Sequence, residues 1–350
     1  MANKISIDET YLQDTLVQLL NIPSPTGYTE AALQFTQSKL EELGLPGRQT
    51  PKGNLVAEWP GKAADKPRGL TAHIDTLGAM VSEIKQNGRL KLSQLGGYAW
   101  NSIEGEGCLI HTRSGRSIRG SVLLTKASGH IHGKEVGTTL RDGDTLEVRI
   151  DERSLTTAET EDLGISVGDF VALDPRVEIT PSGFIRSRHL DDKAGVACLL
   201  TAAHAMLSAD EKPSQRTTIH ISNYEEVGHG AAASLPNDLF ELVAVDMAPV
   251  GEGQSSDEFH VTICAKDKGG PYHHILTRRL EELAQTAELP YKIDVYPFYG
   301  SDGEAYWRAG GDVRVALLGP GIDASHNYER THIDSLRATT QLIITYLQSS

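Results

Sequence analysis

The chain has 350 residues, 39% hydrophobic and 23% charged, the composition of a folded water-exposed protein with room for about two domains. Its net charge of −14 comes from 33 basic and 47 acidic residues; this argues against nucleic acid or an anionic membrane as partner, since both need basic patches. Three scattered cysteines, Cys108, Cys198 and Cys264, argue against a disulfide framework and against a thiolate zinc site.

In chain order, the start from Met1 to Glu9 is polar and acidic, without the basic and then apolar pattern of a secretory signal. No apolar run reaches ~18 residues, so no membrane span is expected and a cytoplasmic location is. Leu12, Leu16, Leu19 and Leu20 recur at helical spacing within 8–20. A second helix is predicted over 29–43, with Thr29 as N-cap and Gly44 as its terminator. Strands follow at 54–59 and 69–74, giving a layered α/β start. From about 81 to 180 glycines become frequent and short alternating stretches dominate, among them 117–124, 145–150 and 169–179. With no long helical pattern inside it, this region reads as an all-β insert, a small barrel or sandwich. The α/β texture then resumes, with helices at 192–207, 272–288 and 331–347. Strands are expected at 216–223, 242–246, 261–265, 293–297 and 313–318. The chain is thus expected to carry a discontinuous catalytic α/β domain (residues 1–80 and 181–350) interrupted by an inserted β domain (81–180).

Five places along this pattern bear metal or proton chemistry. His73 closes an apolar strand in Ala72-His73-Ile74-Asp75, where ligands gather in open α/β folds, and Asp75 stands where it can hold the second ring nitrogen. Asp191-Asp192 precedes a helix. The pair serves either as a cap or, through Asp191, as a carboxylate bridging two ions ~3.5–4 Å apart. In Tyr224-Glu225-Glu226-Val227-Gly228, after another strand, Glu226 is a candidate zinc ligand and Glu225 a candidate general base; a solvated acidic turn is the plain alternative. Asp246 ends a buried strand, where a lone acid is costly unless paired or metal-bound. The stretch from Gly319 to His332 reads as a glycine-rich loop between a strand and a helix, offering His326 within the loop and His332 in the first helical turn, of which the loop histidine suits ligation better. Nitrogen and oxygen donors without sulfur suit zinc, and also cobalt or manganese. The pocket for the substrate's N-terminal side chain is expected near the loop Tyr299–Gly303, beside 295–298; within it Asp302 either selects basic residues or caps the helix beginning there, and Gly269–Tyr272 either lines the same cleft or joins a loop to a helix.

The segments Ala72–Gly78, Leu190–Gly195, Glu225–Gly228, Asp246 and the His326 loop resemble the tetrahedral aminopeptidase family, also called glutamyl aminopeptidase or cellulase-like metallopeptidases. The resemblance covers nearly the whole chain. It implies a phosphorylase/hydrolase-like mixed-sheet α/β sandwich, an inserted β domain that builds dimers and assemblies up to dodecamers, and cleavage of N-terminal residues from small peptides. Carried over by position, it implies one metal on His73, Asp191 and Asp246 and a second on Asp191, Glu226 and His326. Glu225 would then be the base and Asp75 the partner of His73, with a cis peptide after Asp191. Lys193, where arginine is commoner in the family, the polar Ser325–His332 run and Trp100–Glu106 depart from its pattern. These features resemble a bacterial subgroup associated with dipeptide-type osmoprotectants. Two alternatives therefore stand beside the aminopeptidase: an amidohydrolase or deacylase acting on N-acylated amino acids or such a dipeptide, and a metal-stabilised assembly protein without catalysis.

Overall fold

A computed structural model describes residues 5–350. Contacts divide the chain into two compact units, one running to Asp75 and resuming at Arg176–Ser350, the other spanning Thr76–Pro175.

The first unit is an α/β layer built on a mixed sheet of thirteen strands among the described residues. Its centre is parallel: Gln215–Ser222 lies beside Ala63–His73, which lies beside Glu241–Val245, then Arg314–Asp323. Register sets Ser222 opposite His73 and Val245 opposite Leu318, so three parallel strands end at one edge of the sheet. Gln215–Ser222 and Glu241–Val245 are buried almost throughout, as strands covered on both faces are. The helix Leu190–Ser208 is buried on nearly every side, consistent with a sequence showing little amphipathic periodicity. It packs against Glu9–Leu20 and the closing helix Ile333–Gln348. In Glu9–Leu20 the predicted leucine stripe is the buried one, and Asp8 caps the helix by accepting from the Tyr11 N–H at 3.0 Å.

The second unit closes a six-stranded antiparallel barrel. The strands run Gly78–Ile84, Leu90–Leu95, Leu146–Ile150, Ser117–Leu124, Gly107–His111 and Phe170–Leu173 around the barrel, and the last pairs with the first. Val81, Leu90, Ile110, Val122, Val148 and Val171 fill its interior. The expected α/β fold with an inserted β barrel is therefore present. No described helix is long and apolar enough to cross a membrane.

Several local expectations are corrected. The insert carries three short helices, Gly129–His132, Glu135–Thr138 and Thr157–Asp162, each too brief to leave a periodic signal. The stretch 145–150 does not alternate in burial: Glu147 is buried and paired with Lys85 at 2.8 Å and Arg89 at 2.6 Å. Thr29 occupies the N-cap position of Glu30–Glu42 but gives no side-chain cap bond. The strand expected to stop at 318 continues to Asp323. Gly319-Pro320-Gly321 belongs to that strand, pairing with Thr262, Val261 and Ala248, and position 319 admits only glycine, since a Cβ there would sit 1.8 Å from the Asp246 carbonyl oxygen. His332 ends the strand Glu329–His332 and caps the last helix, its Nδ1 accepting from the Asp334 N–H at 3.1 Å.

Candidate active site

The strand ends at the C-terminal edge carry the polar residues singled out above. His73 is the last residue of its strand and Asp246 follows the last residue of its own. Beyond Ser222 the chain turns sharply, with Tyr224 at φ +74°, a left-handed backbone that side chains seldom adopt. The turn is closed by the Gly228 N–H on the Glu225 carbonyl at 2.6 Å and the His229 N–H on the Tyr224 carbonyl at 3.1 Å. Asp75 organises it further, accepting from the backbone N–H groups of Glu225 at 3.1 Å and Glu226 at 3.4 Å. Thr26 donates to the same carboxylate at 2.7 Å. Asp191 and Asp192 open the long helix with non-helical dihedrals and a cis peptide between them.

The fold brings all five candidate ligands together. His73 Nε2 lies 2.9 Å from Asp191 Oδ1 and 3.9 Å from Asp246 Oδ1. His326 Nε2 lies 3.4 Å from Asp191 Oδ2 and 3.8 Å from Glu226 Oε2. The two oxygens of Asp191 thus face different histidines. Donor atoms of His73, Asp191 and Asp246 form one group compact enough for an ion, and those of Asp191, Glu226 and His326 form another. Glu225 joins neither group, its Oε2 standing 3.7 Å from His73 Nε2. The other ring nitrogen of His73 faces the Asp75 backbone carbonyl at 2.9 Å, with the Asp75 carboxylate at 3.7 Å.

The electrostatics follow from crowding buried acids. Burial, reinforced by nearby carboxylates, holds Glu225 and Glu226 well above the usual carboxylate range. Burial and the Asp191 carboxylate push Asp246 up to about 7. Burial would raise Asp191 as well, but hydrogen bonds from His326 and His73 prevail and hold it below the ordinary range.

Reading the sequence missed Glu329 and the roles of Asp192 and of Tyr299, which it placed only in a pocket loop. Glu329 is buried and accepts from the Asp191 N–H through Oε2 and from the His326 N–H through Oε1, each at 3.1 Å. Asp192, read as a cap, takes the His73 N–H at 3.3 Å and the Gly195 N–H at 3.2 Å. Tyr299 brings a buried hydroxyl among the same carboxylates. Asp302 is neither a cap nor a free selector. Ser301 caps that helix, while Asp302 accepts from the hydroxyls of Ser222 and Thr71 and from the Ala231 N–H. Gly269 abuts the Glu304 carboxylate, and Tyr272 donates to Asp267, so this junction is packed against the start of the same helix.

The family description M42 glutamyl aminopeptidase matches residues 53–342. The chain is 48% identical to YhfE of Bacillus subtilis, a provisionally named aminopeptidase, over 96% of this chain and 97% of that one. The chain belongs to the M42 glutamyl aminopeptidase family. It is also 27% identical to the glutamyl aminopeptidase of Lactococcus lactis over 97% of both chains. In fold it is similar to the TET1 peptidase of Pyrococcus horikoshii, a protein that assembles into a tetrahedron or a large octahedral shell. That match has TM-score 0.85 at 20% identity and covers 97% of this chain and 100% of the other. The M42 membership makes this chain an aminopeptidase, a hydrolase of peptide bonds, from a metal-dependent family. The residues fit such a cofactor. Asp246 Oδ1 and Glu226 Oε1 are buried with no hydrogen-bond partner, one in each donor group. An orphaned buried carboxylate oxygen is costly unless a cation takes it.

Proposed function

We propose that this M42 aminopeptidase removes N-terminal residues from small peptides with two divalent ions, zinc first among those its donors suit. His73, Asp191 and Asp246 would hold one ion; Asp191, Glu226 and His326 would hold the other. When bound, the pair supplies Lewis acidity to the scissile carbonyl and acidifies the attacking water. Glu225, beside His73 of the first group and part of neither, takes the proton from that water and returns it to the leaving nitrogen. Asp75 holds the backbone of the Glu225–Glu226 turn, so the base is aimed through two N–H bonds rather than by its own side chain. The observation that carries this reading is Asp191, whose two oxygens address two separate histidines. We assign the inserted barrel to building homo-oligomers from dimers, up to a dodecamer. The fold likeness to the self-assembling TET1 peptidase supports that assignment, and the solution mass of the intact chain tests it.

The decisive experiment is Glu225→Gln. Loss of one general base predicts turnover lower by about 10²–10⁴-fold, with two ions per chain still bound. Near-wild-type turnover would end the assignment, and loss of an ion would turn Glu225 into a ligand. Peptides with free and with acylated N-termini should be compared in the same assay. Cleavage of the acylated set alone would replace the aminopeptidase reading by the deacylase one.

A further inference from the structure

Tyr299 is tied in place through both its backbone and its ring. Its carbonyl accepts from the Lys268 N–H at 2.9 Å. Its ring meets that of Tyr296 edge-on, with centroids 5.5 Å apart, and the Tyr296 hydroxyl is tied to Ser256 at 2.5 Å. Two residues on, Ser301 caps a helix, accepting from Gly303 N–H at 3.2 Å. The hydroxyl so presented is buried and makes no hydrogen bond of proper geometry. The charged groups around it are Asp246, Asp191 and Glu225, with Asp246 near enough to attract its O–H. Phe298, the neighbouring residue, is 90% exposed, so the Tyr299 ring is drawn inward while the residue beside it is not.

A fixed, neutral donor without an acceptor is a preorganised site for charge that appears later. Asp246 Oδ1 and both oxygens of Asp191 belong to the donor groups, the Asp246 carboxylate as a whole lies outside hydrogen-bond geometry with the Tyr299 hydroxyl, and Glu225 carries a proton once water has attacked. The remaining acceptor is the former carbonyl oxygen of the substrate. Resting on the aminopeptidase reading above, we infer that Tyr299 is a catalytic residue whose phenolic O–H donates a hydrogen bond to the oxyanion of the tetrahedral intermediate. The water oxygen bonds to the carbonyl carbon as its proton passes to Glu225, and the carbonyl π pair moves onto oxygen. Tyr299 keeps its proton throughout. The oxygen pair then re-forms the C=O bond, the C–N pair leaves with nitrogen, and nitrogen takes the proton from Glu225. An acid and an amine result, with no oxidant or reductant needed.

The test compares Tyr299→Phe with Tyr296→Phe in the zinc-loaded full-length enzyme. Tyr296→Phe loosens the same loop but removes no group at the reacting atoms. For Tyr299→Phe, kcat should fall about 10²-fold with KM within about threefold, as for loss of one oxyanion donor. Calorimetric affinity for a phosphinic dipeptide analogue, whose tetrahedral oxygen mimics the oxyanion, should fall by a similar factor. Affinity for the product amino acid and the zinc content should hold, and Tyr296→Phe should leave both kcat and analogue affinity near wild type. A kcat within about threefold of wild type overturns the inference. So does weakened zinc binding with kcat restored at saturating zinc, which would make Tyr299 a support for Asp246. If Tyr299→Phe fails to fold, 3-fluorotyrosine at position 299 decides: tighter analogue binding supports the inference and unchanged binding overturns it. If the wild type cleaves only N-acylated amides, the aminopeptidase reading falls, while the same comparison on that amide still judges Tyr299.

Discussion

Glu329 shows what a single residue contributes to holding two distant segments in one site. Its two oxygens receive the backbone N–H groups of Asp191 and His326, residues that approach from a helix start and from a loop. His326 itself sits at φ +63°, a backbone that needs outside support. Glu329→Ala would leave the buried Asp191 N–H without an acceptor, at a cost of about 1–3 kcal/mol, and the half-buried His326 N–H as well, at less. It should also weaken the ion on Asp191, Glu226 and His326 by about 10–100-fold, the usual penalty for losing a group that orients ligands. Glu329→Gln keeps the shape and one oxygen, so it should fall between. Denaturant unfolding and zinc titration of the three proteins check both effects, and equal zinc affinity in Glu329→Ala would refute the orienting role. Glu329 was invisible in the sequence for a physical reason. Between Tyr328 and Arg330 it reads as one more surface charge, because its partners lie in backbone 138 residues away and 3 residues before it. His73, Glu225, Glu226 and Asp246 were legible because each closes or follows an apolar strand, and a polar group there is costly unless it is needed.

At the scale of elements, the site depends on how closely the strand Arg314–Asp323 approaches its neighbour. The Asp246 N–H donates to the Leu318 carbonyl at 3.0 Å, and Gly319 leaves the space into which the Asp246 backbone fits. Gly319→Ala places a methyl 1.8 Å from the Asp246 carbonyl oxygen, so the backbone carrying that carboxylate must shift. We expect destabilisation of about 1–3 kcal/mol, typical of overpacking, and a selective loss at the ion group containing His73 and Asp246. Gly321→Ala is the matched control, since its methyl would meet the Asp257 carbonyl oxygen at 1.9 Å, away from both donor groups. Equal zinc affinity in the two variants would remove Gly319 from any part in metal binding. The glycines were misread as a loop because Gly-Pro-Gly is a turn signal in any local window. Only the neighbouring chain explains them, and that contact is tertiary. The same holds for Glu147, whose polar letter suggested an exposed strand face although Lys85 and Arg89 neutralise it inside. Element types and order were legible from periodicity, whereas strand length and burial were set by partners that no local pattern contains.

At the scale of the whole molecule, the two compact units have separate apolar cores, and every candidate ligand belongs to the unit that resumes at Arg176. Cation binding should therefore stabilise that unit, because ligands scattered over 73–326 come together only when it is folded. The sign follows from linkage. An ion that binds the folded unit and not the unfolded chain adds about 4 kcal/mol when its free concentration is a thousand times its dissociation constant. Chelation removes that contribution and also leaves Asp191, Asp246, Glu225 and Glu226 buried together without a cation, the last three already driven toward the neutral form by burial. Calorimetric melting of the zinc-loaded chain should thus show a midpoint that falls by several degrees with a strong chelator and recovers with added zinc. Asp191→Asn, which gives up the carboxylate common to both donor groups, should melt near the chelated wild type and respond weakly to either treatment. Any transition assigned to the Thr76–Pro175 barrel, for instance by proteolysis at intermediate temperature, should keep its midpoint, since that unit holds none of the ligands. A wild-type midpoint indifferent to chelation would mean that the buried acids are stable without a cation, and the orphaned oxygens of Asp246 and Glu226 would then need another partner.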